Sequence, residues 1–203
     1  IQDHMAFVNH PAFPGIGIVT EVDLVARTVR REFAVGTANT DVDYANGKLY
    51  VPNFGDRTVS IIDLASGVVR EIGGDWYPQT ATASPDGWRM LIGEVAGEGH
   101  ASLFVIDTES DEVVDSFEPR GGLVEVAVDG DMVFTAGVGN LVGYQQTESG
   151  YSQRWEVTGL GLSTALEVGG LARDRRIFSA EDLQFGAPLA VISLALARPG
   201  EPR

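Results

Sequence analysis

Cysteine is absent from these 203 residues, which removes a disulfide framework, thiolate metal sites, haem attachment through Cys-x-x-Cys-His and cysteine nucleophiles. Lysine is nearly absent: Lys48 stands alone, and the other cations are arginines, gathered only as Arg30-Arg31 and around Arg173, Arg175 and Arg176. With 14 basic against 29 acidic side chains the formal charge is -15. That balance argues against a nucleic-acid partner, which needs clustered cations to neutralise phosphates. No apolar run approaches the roughly 20 residues that cross a bilayer as a helix, so no membrane span is expected. The chain opens on Ile1 without a secretory leader and is expected to be a processed or trimmed piece. Catalytic signatures are lacking as well. There is no Gly-x-Ser-x-Gly elbow, no Ser-x-x-Lys, no phosphate-cradling loop ending in Lys, and no dinucleotide fingerprint opening a helix. The sequence names no cofactor and does not point to an enzyme.

What is present is repetition. Leu49-Tyr50-Val51-Pro52-Asn53 leads through a short turn into Thr58-Val59-Ser60-Ile61-Ile62-Asp63, then Gly67-Val68-Val69-Arg70-Glu71-Ile72, and closes on Ser84-Pro85-Asp86-Gly87. The same order occurs earlier as Ala6-Phe7-Val8-Asn9, Gly17-Ile18-Val19-Thr20-Glu21-Val22-Asp23 and Thr28-Val29-Arg30-Arg31-Glu32-Phe33. It returns as Met90-Leu91-Ile92, Leu103-Phe104-Val105-Ile106-Asp107 and Glu112-Val113-Val114-Asp115-Ser116-Phe117. A period of about 40–45 residues holding several short strands marks a propeller blade.

Strand signals dominate. β-branched pairs such as Val68-Val69 and Val113-Val114 suit pleated surfaces, and Asn46-Gly47, Asp86-Gly87 and Asp129-Gly130 suit tight hairpins. The reading is all-β: a single domain over 1–203, a β-propeller of four-stranded antiparallel blades. Strands are expected at 80–83, 90–95, 101–107 and 112–117, then at 124–128, 132–136, 141–145 and 153–157, then at 163–168, 176–180 and 189–196. Residues 6–9 enter as a second strand with no inner strand before them. The count is about 18 strands, three complete blades between two incomplete ones. Either these make about five blades, or the chain is part of a larger ring. Open blade faces and strand edges then lead to self-association or to a separate ring-completing chain.

Tyr50-Val51-Pro52-Asn53, the strand ending in Asp63 and the Ser84-Pro85-Asp86-Gly87 turn resemble the YVTN family of β-propeller repeats, with Pro52 in place of the family's Thr. The resemblance spans 5–131; beyond it Gln145 and Gln146 stand where the repeat has Asp. It implies a bacterial or archaeal protein, usually exported, hence an extracytoplasmic setting (periplasmic, secreted or cell-surface). Related propellers also serve as subunits of quinone- or haem-dependent dehydrogenases and as lyases on cyclic lactone antibiotics. Asp23, Asp63 and Asp107 close a strand and open a turn, where a carboxylate accepts backbone N–H groups. Asn9 and Asn53 suit strand ends likewise.

Two of the three histidines, His10 and His100, fall between the second and third strands of their blades. In a propeller those loops share a face with the connections between blades, here Gly73-Gly74-Asp75-Trp76-Tyr77-Pro78 and Glu118-Pro119-Arg120-Gly121-Gly122. Loops of this composition are adaptable binding elements. The candidate face carries His10, Trp76, Tyr77, Glu94, Glu98, His100 and Arg120, presented to a protein or carbohydrate partner, or in the alternative to the substrate of a redox or lyase-like enzyme. No short ligand spacing supports a metal. Trp76 is also read, and in preference, as a wedge between blades. Asp41 and Asp43 alternate on one strand and could meet a cation or water near the axis.

Overall fold

The computed structural model describes residues 4–95, 101–123, 125–171, 174–181 and 190–192, and every regular element among them is a β-strand. β1 (Met5–His10), β2 (Gly17–Asp23) and β3 (Thr28–Val35) form a three-stranded sheet in chain order. β4 (Asp43–Ala45), β5 (Lys48–Asn53), β6 (Thr58–Asp63) and β7 (Val69–Gly73) form a four-stranded one, and so do β8 (Pro78–Ala83), β9 (Arg89–Val95), β10 (Ala101–Asp107) and β11 (Glu112–Phe117). β12 (Glu125–Asp129), β13 (Met132–Ala136), β14 (Val138–Thr147), β15 (Gly150–Leu171), β16 (Asp174–Glu181) and β17 (Ala190–Ile192) make one six-stranded sheet. All pairs are antiparallel neighbours in sequence. The chain divides into two compact units, Ile1–Pro119 with the first three sheets and Arg120–Arg203 with the fourth.

The first three sheets are β-propeller blades, and the alternation of side chains along their strands sorts residues between neighbours. In β5, Leu49 and Val51 point to the first blade and pack with Val19, Phe33, Val35 and Ile62. Tyr50 points the other way and packs with Val59, Ile61, Trp76, Ala81, Met90, Ile92 and Ile106 of the second and third blades. Buried on both faces, β5 and β6 read as near-continuous apolar runs. β7 and β11, the outer strands, are largely exposed. In the second unit Ala127, Phe134, Ala136 and Leu141 form the core, backed by Trp155 and Val157.

The strand-closing aspartates do what their position suggests. Asp23 Oδ1 accepts the Val25 and Ala26 N–H groups at 2.9 and 2.8 Å. Asp63 Oδ1 accepts Ser66 N–H at 2.7 Å and its hydroxyl at 2.7 Å, and Asp107 Oδ1 accepts Ser110 N–H at 2.8 Å. These bonds hold the Asp63 and Asp107 carboxyls below the ordinary range. Four residues after each aspartate the backbone turns left-handed: φ is 58° at Arg27, 77° at Gly67 and 58° at Asp111. Only Gly67 adopts that region without a steric cost.

One expectation needs correcting. Residues 153–157 and 163–168 were expected to be separate strands of successive blades. Instead β15 runs unbroken for 22 residues, paired to β14 over its first part and to β16 over the rest. The ladder absorbs Gly159 rather than breaking at it. Between the pairs Asn140↔Thr158 and Val138↔Leu162, β15 advances further than β14, and Gly159 takes φ 79°, as in a bulge. Asp41 and Asp43 both bond to backbone N–H groups. Their Oδ2 atoms accept the N–H groups of Ala81 and Ala83 at 2.9 and 2.7 Å. They thereby cap the free edge of the next blade's inner strand, which would otherwise leave orphan donors. Burial pushes the Asp43 carboxyl up.

Candidate functional site

Two loops and a connection of the first unit are tied into one continuous face by backbone bonds. Ala38 N–H donates to Ala12 O at 2.8 Å, Phe54 N–H to Ala38 O at 3.2 Å and Gly55 N–H to Thr37 O at 3.1 Å. The Asp56 carboxylate accepts from Thr37 N–H at 2.6 Å and from its hydroxyl at 2.7 Å. This joins the β1–β2 loop, the connection to the second blade and the β5–β6 turn. Below them lies a polar layer. Asn53 donates to the Thr58 and Ser60 hydroxyls at 2.9 and 2.8 Å, and Asn39 and Asn9 bond to each other. Strand-end asparagines are therefore spent on holding loops, the structural role their position implies.

The next connection, between the second and third blades, adds the aromatic part. Trp76 is buried, its indole Nε1 donating to Arg57 O at 2.8 Å and its ring meeting Phe104 edge-on at 4.7 Å. It is the wedge between blades. Tyr77, its neighbour in sequence, stays half-buried at the surface. Its ring lies under the Arg57 guanidinium at 4.3 Å and 5.5 Å from Phe54, and its hydroxyl bonds to Arg57. The Arg57 Nη1 is 3.5 Å from Asp75. Arg57 holds φ at 60°, an uncommon state for a residue with a side chain. Trp76 pins its carbonyl, and Tyr77 pins its guanidinium. Phe13 and Ile16 of the β1–β2 loop are 80% and 68% exposed on the same face.

The candidate residues fall into separate groups. Trp76, Tyr77 and Glu94 come together: Glu94 is buried, and its carboxylate accepts the Tyr77 N–H at 2.8 Å. It fixes the connection rather than offering a free ligand. His10 is exposed at the end of β1, opposite Ile18. Glu98 and His100 lie outside the described residues. Arg120 belongs to the second unit, where it is exposed, its N–H donating to the Tyr144 hydroxyl at 2.7 Å and its carbonyl accepting from Asn140 at 3.2 Å. Among the described residues no group of three or more His, Asp or Glu could hold a metal ion.

Arg57 and Phe54 are residues of this face that sequence reasoning missed. Nothing in Asn53-Phe54-Gly55-Asp56-Arg57 announces a stacked arginine, because the stack depends on a tyrosine 20 positions away. The pairing becomes visible only once β6 and β7 carry the chain out and back.

No family model and no curated protein sequence matches this chain. Solved structures do. The Saccharomyces cerevisiae protein Sqt1 superposes with a TM-score of 0.62 at 13% identity, over 82% of this chain and 51% of its own length. The structure of U3-55K superposes with a TM-score of 0.72 at 12% identity, over 94% of this chain and 64% of its own length. Both are WD40 β-propellers, and the likeness establishes a propeller-type repeat fold. The chain spans about half to two thirds of the length of these structures.

Proposed function

We propose that this chain is a propeller scaffold whose loop face binds a protein partner, with Arg57 and Tyr77 at the centre of contact. The observation that carries the reading is the stacked pair itself. An arginine and a tyrosine, pre-ordered on each other beside Phe54 on the face that also exposes Phe13 and Ile16, form the composition of an interface anchor. Pre-ordering lowers the entropy that binding must offset. The YVTN character of the repeats, and with it an extracytoplasmic setting, belongs to the same proposal and rests on Tyr50-Val51-Pro52-Asn53 and the turn motifs. The test is retention of partners from an extract of the source cells on the immobilised chain. Arg57→Ala with Tyr77→Ala should reduce retention of any specific partner about tenfold or more, as loss of an anchor pair does. Retention that survives the double substitution removes this face from the proposal.

Ring completion is a second part of the reading, favoured by the first blade. Among the described residues β1 pairs only with β2, leaving an open strand edge. Val8, Ile18 and Val29 are 42%, 37% and 61% exposed. Such a sheet pairs with further strands, from more of the same polypeptide or from another chain. Light scattering at micromolar concentration should register self-association of the 203-residue chain. A strictly monomeric particle would mean that the edge is closed within the chain.

A further inference from the structure

At the opposite ends of the same strands, away from the loop face, the first unit has a groove of about 360 Å³ between the β4–β5 turn and the β8–β9 turn. Tyr44 and Asn46 line one side, and Pro85, Asp86 and Trp88 the other. Its walls are fixed. Asn46 Nδ2 donates to Thr108 O at 3.3 Å, the Thr108 hydroxyl to Gly87 O at 2.7 Å, and Thr108 N–H to Trp88 O at 3.1 Å. Trp88 is nonetheless 56% exposed, whereas Trp76 is buried and Trp155 packs against Phe134. The Trp88 indole is thus offered to solvent from a wall whose backbone is fixed.

The chemistry of the lining selects the occupant. No Lys or Arg is among the lining residues. Asp86 Oδ1 is taken by the Ser84 hydroxyl at 2.6 Å and the Trp88 N–H at 3.1 Å. Its Oδ2 has only a loose approach from Arg89 at 3.9 Å, and the side chain is 52% exposed. The Ser84 hydroxyl holds the Asp86 carboxyl below its ordinary range, so it is charged at neutral pH. An indole face beside a carboxylate favours a cation over a neutral ring or an anion. The net charge of -15 draws basic segments toward the molecule.

We propose that this groove receives a lysine or arginine side chain from a basic segment of a protein partner, the cation lying over the Trp88 indole and facing Asp86. This surface is distinct from the loop face and does not depend on it.

The test titrates the whole chain with a decapeptide of alternating Lys and Gly, and with its Gln–Gly counterpart, while NMR follows the indole N–H resonances of the three tryptophans. The Lys peptide should shift the Trp88 resonance and leave Trp76 in place, and added salt should weaken binding. Trp88→Ala should lower affinity about tenfold and Asp86→Asn about fivefold, while Trp88→Phe retains most of it and Glu32→Gln, an exposed carboxylate on β3, changes nothing. Three results would overturn the proposal. Lys-peptide binding indifferent to Trp88→Ala would reduce it to the general acidity of the surface. An equal response to the Gln–Gly peptide or to a neutral oligosaccharide would make the groove a neutral-ligand site. A Trp88 shift that follows protein concentration alone would make the occupant a second copy of the chain.

Discussion

Asp111→Ala is expected to destabilise the first unit by about 3–5 kcal/mol, the cost of removing one partner from a buried ion pair. The Asp111 side chain is fully buried and sits in the turn after β10. Its Oδ2 accepts from Lys48 Nζ at 2.7 Å and its Oδ1 from the Tyr50 hydroxyl at 2.6 Å. Arg70 approaches the same carboxylate. All three donors come from the second blade and Asp111 from the third, so one carboxylate joins two blades. Burial pushes the Tyr50 phenol up to about 12, so it remains a donor across the accessible pH range. Without Asp111 the Lys48 ammonium, 17% exposed, keeps Thr108 O at 2.8 Å but loses its directly bonded countercharge, leaving only the more distant Asp63, Asp107 and Glu109, and the phenol loses its acceptor. Arg70, 49% exposed, turns to water and adds little.

Asp111 also holds φ at 58°, so alanine would add backbone strain to the electrostatic loss. Asp111→Asn separates the two, because asparagine tolerates that conformation and retains one acceptor. Its cost should lie below that of alanine. Adding Lys48→Met to Asp111→Ala should recover part of the loss, since no ammonium is then left without a partner. The cycle comprises the wild type, Lys48→Met, Asp111→Ala and the double variant, with Asp111→Asn measured beside them, and urea-dependent amide exchange at residues of the first unit reads each. A loss below about 1 kcal/mol for Asp111→Ala, or no recovery in the double variant, would show that the carboxylate is not a junction between blades.

The blade pattern was legible because its causes are local. Asp23, Asp63 and Asp107 each organise a turn with N–H groups two or three residues away, and β5 and β6 carry their alternation in consecutive residues. The pairing of Asp41 with Ala81 and of Asp43 with Ala83 spans one full repeat. It was invisible to a reading that took the aspartates on their own strand. Lys48 stood out as the sole lysine, but nothing near it marked Asp111, 63 positions on, as its partner. The second unit was harder. Without the strand-closing aspartate, Gln145 bonds to Asp131 at 2.8 Å and to Arg154 at 2.7 Å, and the strands expected at 153–157 and 163–168 are parts of one strand, β15. The candidate face was half legible. Trp76 and Tyr77 could be placed in a connection, but which of them faces solvent depends on the depth of the neighbouring blade.

Ile61→Ala tests the hydrophobic counterpart of the Asp111 junction and is expected to cost about 2–5 kcal/mol. Ile61 is 1% exposed, paired across the sheet with Tyr50 and Arg70, and its side chain enters the cluster of Val59, Trp76, Met90 and Ile92. Truncation removes three carbons from a space walled by two blades. Each blade is held rigid by its own ladder, so the walls collapse little, and the cost should sit in the upper half of the range. Ile61→Val, which removes one carbon, should cost about 0.5–1.5 kcal/mol. Val114→Ala, on an outer strand at 57% exposure, should cost well under 1 kcal/mol. Because the chain forms two compact units, a single melting curve is not a safe readout. Amide hydrogen exchange resolves them. Protection should fall at Val59 and Ile92 in the first unit and hold at Phe134 in the second. A loss under half a kcal/mol at Ile61 would mean that the second and third blades do not pack face to face through this residue. Equal loss of protection at Phe134 would mean that the two units unfold as one.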